Sequence, residues 1–549
     1  MSRTGRHPLI AGTVITSLGT LASRLSGLLR EMATGALFGV VGKGAGKGVA
    51  DAFLFAFRIP NLFRQVFGEG ALTASHLPVL TGHLENDPDA ARHLSSVVVT
   101  LLAALLTGFA AVGELLLGSI WLIWGDSPRV ELLLGLSAVM MPYVVLICVA
   151  AQLSTVLYAH QRFTVPALAP VVLNVVWLIA AWVGNEWFPQ KQIVQAFVLA
   201  VGVIISGLAQ VAVQLPTLRR LGFRFDYNWF FARNGVWSSA RNGVMEIGRN
   251  MAPTFVGLSV LQINTFVNTL IAWGLAAAGG PQTISWLGGV DYPMQQGAVA
   301  ALYYSDRLCD VALGIVGLPV AVAIFPLLCR HAVRGDHRQM GADMTLGLRL
   351  VLCLSIPAGV GLMLLAEPIT RLLLQRGNFS PEDTVRVAWL IDYYGAGIWA
   401  NCAWPVVVRG FYALSDYRTP VRVCVWVVSL NLLLNLTLIW PLAEAGLALS
   451  TTIATVVQLL ILMAIFSRRQ APLNWRALVA TSVRAILATT AMAGAVYFIL
   501  PYMPTSDTLL AKSTHVGVSV LLGAVTYCLA YLLLGGRELG MLWSGNVED

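Results

Sequence analysis

Charged residues are scarce in this sequence. Only 11% of its 549 residues are Asp, Glu, Lys or Arg, and 57% are hydrophobic, whereas a soluble globular protein carries about 25% charged residues. The mean hydropathy is correspondingly high, at +0.74. This balance excludes an ordinary soluble enzyme. It predicts an all-α polytopic membrane protein, because long apolar helices satisfy their own backbone polar groups within a bilayer.

Groups that could build a disulfide framework, a metal centre or a nucleotide site are also missing. The seven cysteines lie in or beside apolar runs without a C-x-x-C pair, and the eight histidines do not cluster. The run GKGAGKG (42–48) fails as a phosphate loop, which would need Gly at Val41 and Ser or Thr at Gly48. We therefore predict no catalytic residue, no metal ligand and no organic cofactor, and a monovalent cation (sodium or a proton) as the candidate coupling ion.

Apolar stretches long enough to cross a membrane recur along the whole chain. They predict about fourteen spans, which begin near residues 9, 49, 94, 132, 165, 194, 247, 297, 341, 384, 418, 446, 476 and 512. The Gly-rich stretch 276–297 is a connection between spans seven and eight. The +8 net charge comes from basic residues between spans, chiefly in the connections after spans six, eight, ten and twelve. This pattern predicts that both termini are cytoplasmic and that nucleic acid is not a partner.

Two short turns resemble each other. YAHQRFTVP (158–166) and YALSDYRTP (412–420) lie about six spans apart, and each precedes an apolar run that contains an asparagine, Asn174 or Asn431. Such repeats are typical of transporters with a substrate site at the repeat interface. We predict two pseudo-symmetric six-helix lobes, 1–225 and 226–470, and a C-terminal helix pair, 471–549.

Charged residues inside the predicted spans are the strongest functional signal. Each arginine at the centre of a span costs about 2.5–3.5 kcal/mol, so the group requires a water-filled cavity or an anionic partner. The charged residues lie in spans one, two and eight: Arg24, Arg30, Asp51, Arg58, Arg64, Glu69, Asp306, Arg307 and Asp310. Arginines outnumber carboxylates in the first two spans, which favours a cavity for a phosphate-bearing substrate.

A structural reading of the same charges stays open. Arg30 with Glu31, and Arg307 with Asp310, could form ion pairs that hold the bundle together. In span two, Arg58, Asn61, Gln65 and Glu69 follow helical spacing on one face. Pro60 removes a backbone hydrogen bond and permits a bend, as a gate or cavity wall requires.

Four segments carry a specific resemblance. ASRLSGLLRE (22–31), DAFLFAFRIPNLFRQVFGEGALTASHLPVL (51–80), LYYSDRL (302–308) and GFYALSDYRTPV (410–421) resemble signature segments of the MurJ/MviN family of lipid II flippases. That family belongs to the multidrug/oligosaccharidyl-lipid/polysaccharide exporter superfamily. The resemblance implies a bacterial inner-membrane transporter, not an enzyme, that moves lipid II to the outer leaflet by alternating access.

Roles for individual residues follow from the resemblance. It implies that four arginines line the cavity and bind the diphosphate of lipid II: Arg24, Arg30, Arg64 and Arg307. It implies supporting or gating roles for Ser23, Asp51, Arg58, Asn61, Glu69, Asp306 and Asp310. A family serine near the span-eight arginine falls on Ala300, so that contact is missing. Positions that bind sodium in some relatives fall on Asn268, Asn431, Asn435 and Thr451, which lack a carboxylate and favour interhelical hydrogen bonds.

The implied partners are lipid II, an undecaprenyl-diphosphate-linked disaccharide peptide, and membrane lipids, with the chain acting as a monomer. Two alternatives stay open. One is a flippase for another polyprenyl-diphosphate-linked oligosaccharide. The other is a membrane enzyme acting on such lipids, although the dispersed carboxylates disfavour it. A drug exporter is disfavoured too, because cationic drugs prefer acidic cavities.

Overall fold

The computed structural model describes residues 6–68, 70–223, 236–277, 283–284, 288–504 and 506–540. These residues are almost entirely helical, which confirms the predicted all-α class. The chain divides into two compact units, Met1–Gly274 and Leu275–Asp549. The lobe boundaries at 225/226 and 470/471 rest on the sequence repeat and stay a prediction.

The described part of the first unit contains eight α-helices and one π-helical segment, in which each N–H bonds to the carbonyl five residues back. In chain order they are α1 (Arg6–Phe38), α2 (Val49–Phe63), the π-helical segment Arg64–Gly68, α3 (Ala71–Asn86), α4 (Pro88–Trp124), α5 (Pro128–Ala159), α6 (Thr164–Trp187), α7 (Gln192–Arg220) and α8 (Val236–Gly274).

The second unit begins with a short antiparallel hairpin, β1 (Thr283–Ile284) and β2 (Val290–Asp291), within the predicted Gly-rich connection. Its helices are α9 (Ala298–Ala312), the π-helical segment Leu313–Gly317, α10 (Leu318–Arg334), α11 (His337–Leu364), α12 (Ala366–Leu373), α13 (Pro381–Gly395), α14 (Ile398–Ala413), α15 (Arg418–Leu442), α16 (Glu444–Arg469), α17 (Trp475–Ile499) and α18 (Leu509–Leu533).

Ten helical segments of the described chain are long and apolar enough to cross a membrane, and a bent pair within α8 adds an eleventh. Many large apolar side chains on these helices point outward, such as Leu122 on α4 and Trp426 on α15. Outward-facing apolar groups suit contact with lipid tails. The protein is therefore a multi-pass membrane protein, and the full count of fourteen spans stays a prediction.

The two similar turns in the sequence have the same backbone geometry. Gln161 and Ser415 occupy the fourth position of each turn, and both have a φ of 57°. In each turn the next residue donates its N–H five residues back, from Arg162 to Leu157 and from Asp416 to Phe411. The resemblance between these segments is therefore structural as well as sequential.

A buried carboxylate ties the segment after α18 to the second unit. Glu538 is fully buried and accepts hydrogen bonds from Arg349 on α11 (2.7 Å), Thr481 on α17 (2.6 Å) and Tyr531 on α18 (2.7 Å). This network joins three helices to the chain beyond α18.

Candidate substrate-binding site

Arg30 on α1 is surrounded by side chains of its own unit. Its Nη2 lies 2.6 Å from Glu31 Oε1, and its Nη1 donates to Asn174 Oδ1 at 3.2 Å. The guanidinium carbon lies 5.1 Å from the ring centroid of Trp177 on α6, within cation–π range. The predicted Arg30–Glu31 pair is thus present, and it holds the guanidinium between α1 and α6.

Arg24 lies on the same helix in a different environment. Its side chain is exposed, and it makes no hydrogen bond or ion pair with any described residue. The backbone beside it is fixed, because Ser23 O accepts from Asn174 Nδ2 at 3.2 Å and from Ser26 Oγ at 3.1 Å. Arg24 is therefore a guanidinium on an anchored helix, with its donors available to a ligand.

Arg64 is the first residue of the π-helical segment, four positions after Pro60. Its Nε and Nη2 donate to Asn61 Oδ1 at 3.2 and 2.9 Å. Asn61 therefore holds the guanidinium from one turn earlier in the same helix, a contact that the sequence does not predict. The helix becomes irregular four residues after Pro60, and the bend at Pro60 stays a prediction.

The other predicted residues of span two differ in their surroundings. Asp51 is fully buried in the first turn of α2, and Arg58 is half-buried near its end. Gln65 accepts a hydrogen bond from Gln262 on α8. Glu69 lies outside the described residues.

A cavity of about 280 Å³ lies within the first unit beside the π-helical segment. The described residues that line it include no carboxylate, and its polar lining consists of Arg64, Thr73, Ser154, Thr155, Tyr158 and Gln210. Arg64 is the charged residue of this lining. The cavity is thus electrostatically suited to an anionic or neutral polar group.

In the second unit, Arg307 and Asp310 form the other predicted ion pair. Arg307 Nη1 lies 3.3 Å from Asp310 Oδ2, with the two side chains 37% and 40% exposed. The guanidinium carbon lies 5.2 Å from the ring centroid of Tyr303. Asp306 is half-buried, and the side chain at Ala300 is fully buried and apolar. An exposed pair of this kind contributes little to stability, so its partners can be exchanged.

The asparagines of α15 form a buried pair. Asn435 Nδ2 donates to Asn431 Oδ1 at 3.2 Å, and both residues are buried. Thr451 on α16 donates to Leu447 O of its own helix, and Asn268 is half-buried on α8. Groups of three or more His, Cys, Asp or Glu with metal-binding geometry are absent from the described part of the chain. Asn431 and Asn435 lie on the same helix, so this hydrogen bond is not one of the interhelical bonds that the sequence favours. Both side chains are neutral and supply no anionic ligand.

Sequence reasoning missed two side chains that hold the arginine-bearing helices. The sequence marks Asn174 only as part of the repeat, yet it contacts both Arg30 and the backbone of Ser23. Gln152 on α5 belongs to no sequence motif, and it is fully buried against the end of the π-helical segment. The available signal was a buried amide in an apolar span, which requires hydrogen-bond partners.

These features define the class of the protein: a multi-pass helical membrane transporter with cationic side chains inside its helical bundle. A family model described as "Lipid II flippase MurJ" matches residues 44–515. The chain belongs to this family, which confirms the resemblance found in the sequence. The family consists of transporters of the bacterial inner membrane, not enzymes.

Individual relatives agree with this assignment. The chain is 31% identical to a probable lipid II flippase MurJ of Vibrio cholerae, over 96% of this chain and 97% of that one. It is 30% identical to a probable lipid II flippase MurJ of Rhizobium tropici, over 95% and 94% of the two chains.

Solved structures show the same fold. A lipid II flippase MurJ structure in an inward closed conformation matches with a TM-score of 0.71 at 20% identity, covering 96% of this chain and 99% of that one. An inward-facing multidrug resistance transporter of the MATE family, in the MOP superfamily, matches with a TM-score of 0.55 at 12% identity. It covers 83% of this chain and 96% of that one.

Proposed function

We propose that this protein moves lipid II from the inner to the outer leaflet of the cytoplasmic membrane. The observation that carries the proposal is Arg24, an exposed guanidinium without a described partner in the first helix of a chain that belongs to the lipid II flippase family. A guanidinium matches phosphate oxygens in bidentate geometry. Lipid II carries such oxygens in its diphosphate.

The proposal assigns diphosphate binding to Arg24, Arg30 and Arg64 of the first unit and to Arg307 of the second. Arg64 lines a cavity whose described lining has no carboxylate, so an anion meets no repulsion there. Arg30 pairs with Glu31, and Arg307 pairs with Asp310. A diphosphate carries enough charge to compete for both guanidinium groups.

In transport by alternating access, the substrate site opens first to the inner leaflet and then to the outer leaflet. In this scheme the arginine sites take the diphosphate–sugar head across while the polyprenyl tail stays in lipid. Both termini lie in the cytoplasm, and one chain suffices. Because the lipid is anionic, an inside-negative potential favours its export by about 2.3 kcal/mol per charge per 100 mV. A monovalent cation gradient is the other candidate energy source.

The direct test is depletion of the protein in its host, followed by measurement of lipid II accessible from outside. The expected result is accumulation of lipid II on the inner side. If outward appearance of lipid II is unchanged while another polyprenyl-diphosphate-linked oligosaccharide accumulates, the cargo is wrong.

Complementation by variants tests the site. Arg24→Ala, Arg64→Ala and Arg307→Ala should each fail to support growth. Arg468→Ala is the matched control, because Arg468 is an exposed arginine at the end of α16 without a described partner. Equal behaviour of all four variants would contradict the proposed diphosphate site.

A further inference from the structure

Gln152 is a buried residue of α5 whose whole amide group is engaged. Its Nε2 donates to Phe67 O at 3.1 Å, with longer contacts to Thr73 Oγ1 at 3.3 Å and Gly68 O at 3.4 Å. Its Oε1 lies 3.0 Å from His76 Nδ1. Because the amide nitrogen faces acceptors, the amide oxygen takes the ring N–H of His76. The contacts therefore fix the orientation of the amide.

These contacts converge on the end of the π-helical segment that begins at Arg64. Phe67 and Gly68 are its last two residues, and carbonyls at the end of a helical segment lack regular helical partners. The Thr73 hydroxyl also donates to Gly68 O. A Cβ built on Gly68 would lie 3.3 Å from Ala151 Cβ on α5 and 3.4 Å from Arg64 Cγ. The segment is thus pressed against α5 at the point where Gln152 holds it.

We propose that Gln152 is a positioning residue for substrate binding, which acts by holding the π-helical segment in the conformation that presents Arg64 to its cavity. Gly68 and Thr73 line the same cavity as Arg64, so a change in the segment's carbonyl contacts alters the cavity wall. This inference rests on the proposed function, because the ligand of Arg64 is the diphosphate of lipid II.

The chain contains a closely matched control outside this cavity. Gln192 at the start of α7 is also buried, and its Nε2 donates to Leu37 O at 3.1 Å, with a longer contact to Phe38 O at 3.4 Å. Its Oε1 accepts from Lys43 N at 3.3 Å. Both glutamines use both amide atoms and hold the last carbonyls of a helical segment. They differ in that Leu37 and Phe38 end α1 and are not among the described residues that line the Arg64 cavity.

The experiment compares Gln152→Met with Gln192→Met in the full-length protein in lipid nanodiscs, with lipid II as the probe. Thermal unfolding should show similar losses of stability. Lipid II affinity should fall at least tenfold for Gln152→Met and less than twofold for Gln192→Met. In an Arg64→Ala background, Gln152→Met should cause no further loss, because its effect passes through Arg64. Equal affinity losses for the two glutamine variants, or additive losses with Arg64→Ala, would overturn the inference.

A milder pair of variants covers the case in which Gln152→Met does not fold. Thr73→Val removes one donor to Gly68 O, whereas Thr81→Val on the same helix removes a bond to Leu77 O of that helix. Only Thr73→Val should weaken lipid II binding. Failure of the wild-type protein to bind lipid II would sink the proposed function together with this inference. Binding by the wild type with no difference between the paired variants would sink the inference alone.

Discussion

Arg386 on α13 and Glu444 at the start of α16 form a buried ion pair, with Arg386 Nε 2.6 Å from Glu444 Oε1. The same guanidinium donates to the carbonyls of Gln296 at 2.7 Å and Gln295 at 3.2 Å, directly before α9. One side chain therefore anchors two helices and the end of the long connection. Because α9 carries Arg307, the pair also fixes where that helix begins.

We expect either single substitution of this pair to destabilise the second unit. Arg386→Ala leaves a buried carboxylate without its partner, which costs about 3–5 kcal/mol. The double variant Arg386→Met/Glu444→Leu should be more stable than either single variant, because apolar side chains of similar volume need no compensation. Thermal unfolding in detergent measures the differences.

Arg371 and Asp507 form an ion pair for comparison. Unlike Glu444, the Asp507 side chain is 77% exposed. Arg371→Ala should change the free energy of unfolding by at most about 1 kcal/mol. A loss as large as that of Arg386→Ala would contradict the assignment of the effect to burial.

Arg24 and Arg30 should separate activity from stability. Arg24→Ala removes an exposed side chain and should alter the free energy of unfolding by less than about 0.5 kcal/mol. Arg30→Ala removes the cation 2.6 Å from the buried Glu31 carboxylate and should cost about 2–3 kcal/mol. Both variants should lose lipid II flipping, measured by complementation beside thermal unfolding.

Glu31 makes the second prediction specific. The double variant Arg30→Ala/Glu31→Ala should regain most of the lost stability, because the buried carboxylate that Arg30 balances is removed together with it. It should still fail to complement. Recovery of growth would mean that Arg30 serves the helix bundle and not the substrate.

Asn435 should determine whether sodium binds near α15. The Asn431–Asn435 pair is neutral, and oxygens without an anionic ligand hold a cation weakly. We expect the wild-type melting temperature to be the same in sodium and potassium. Asn435→Asp should make the melting temperature sodium-dependent. At a sodium concentration of 100 times Kd, binding should add about 2.7 kcal/mol to the free energy of unfolding. Sodium-dependent stabilisation of the wild type would show that the neutral oxygens suffice.

Glu538 should give the second unit a pH-dependent contribution to stability. Burial raises the pKa of Glu538, but hydrogen bonds from Thr481, Tyr531 and Arg349 outweigh this and lower the pKa from 4.5 to about 2. A carboxyl group whose pKa is lower in the folded protein than in the unfolded chain stabilises the fold at pH values above the unfolded pKa. This contribution is lost as the pH falls from 4.5 towards 2. Glu538→Gln should therefore melt below the wild type at pH 7, with the gap narrowing below pH 4.5. A difference in melting temperature that does not change with pH would contradict the presence of an ionised Glu538 in the folded protein.

Most helices could be placed from the sequence because their apolar runs are long, even where charged residues interrupt them. It also suggested both arginine pairs, since Arg30–Glu31 and Arg307–Asp310 are neighbours in the chain. The partners of Arg386 could not be found this way, because Glu444 lies 58 positions away and nothing local marks the contact. The π-helical segments could not be predicted because each is only five residues long, too short to show a period of its own in the sequence.

The π-helical segment Arg64–Gly68 has a consequence for how related sequences correspond to one another. A π-helical turn accommodates one residue more than an α-helical turn, and one residue of an α-helix corresponds to about 100° of rotation. Removal of one residue within 64–68 would therefore restore a regular α-helix and leave the residues around it on the same faces. A one-residue gap at this point in an alignment would mark the loss of the π-helical segment that Gln152 holds, whereas a gap in a surface loop would not.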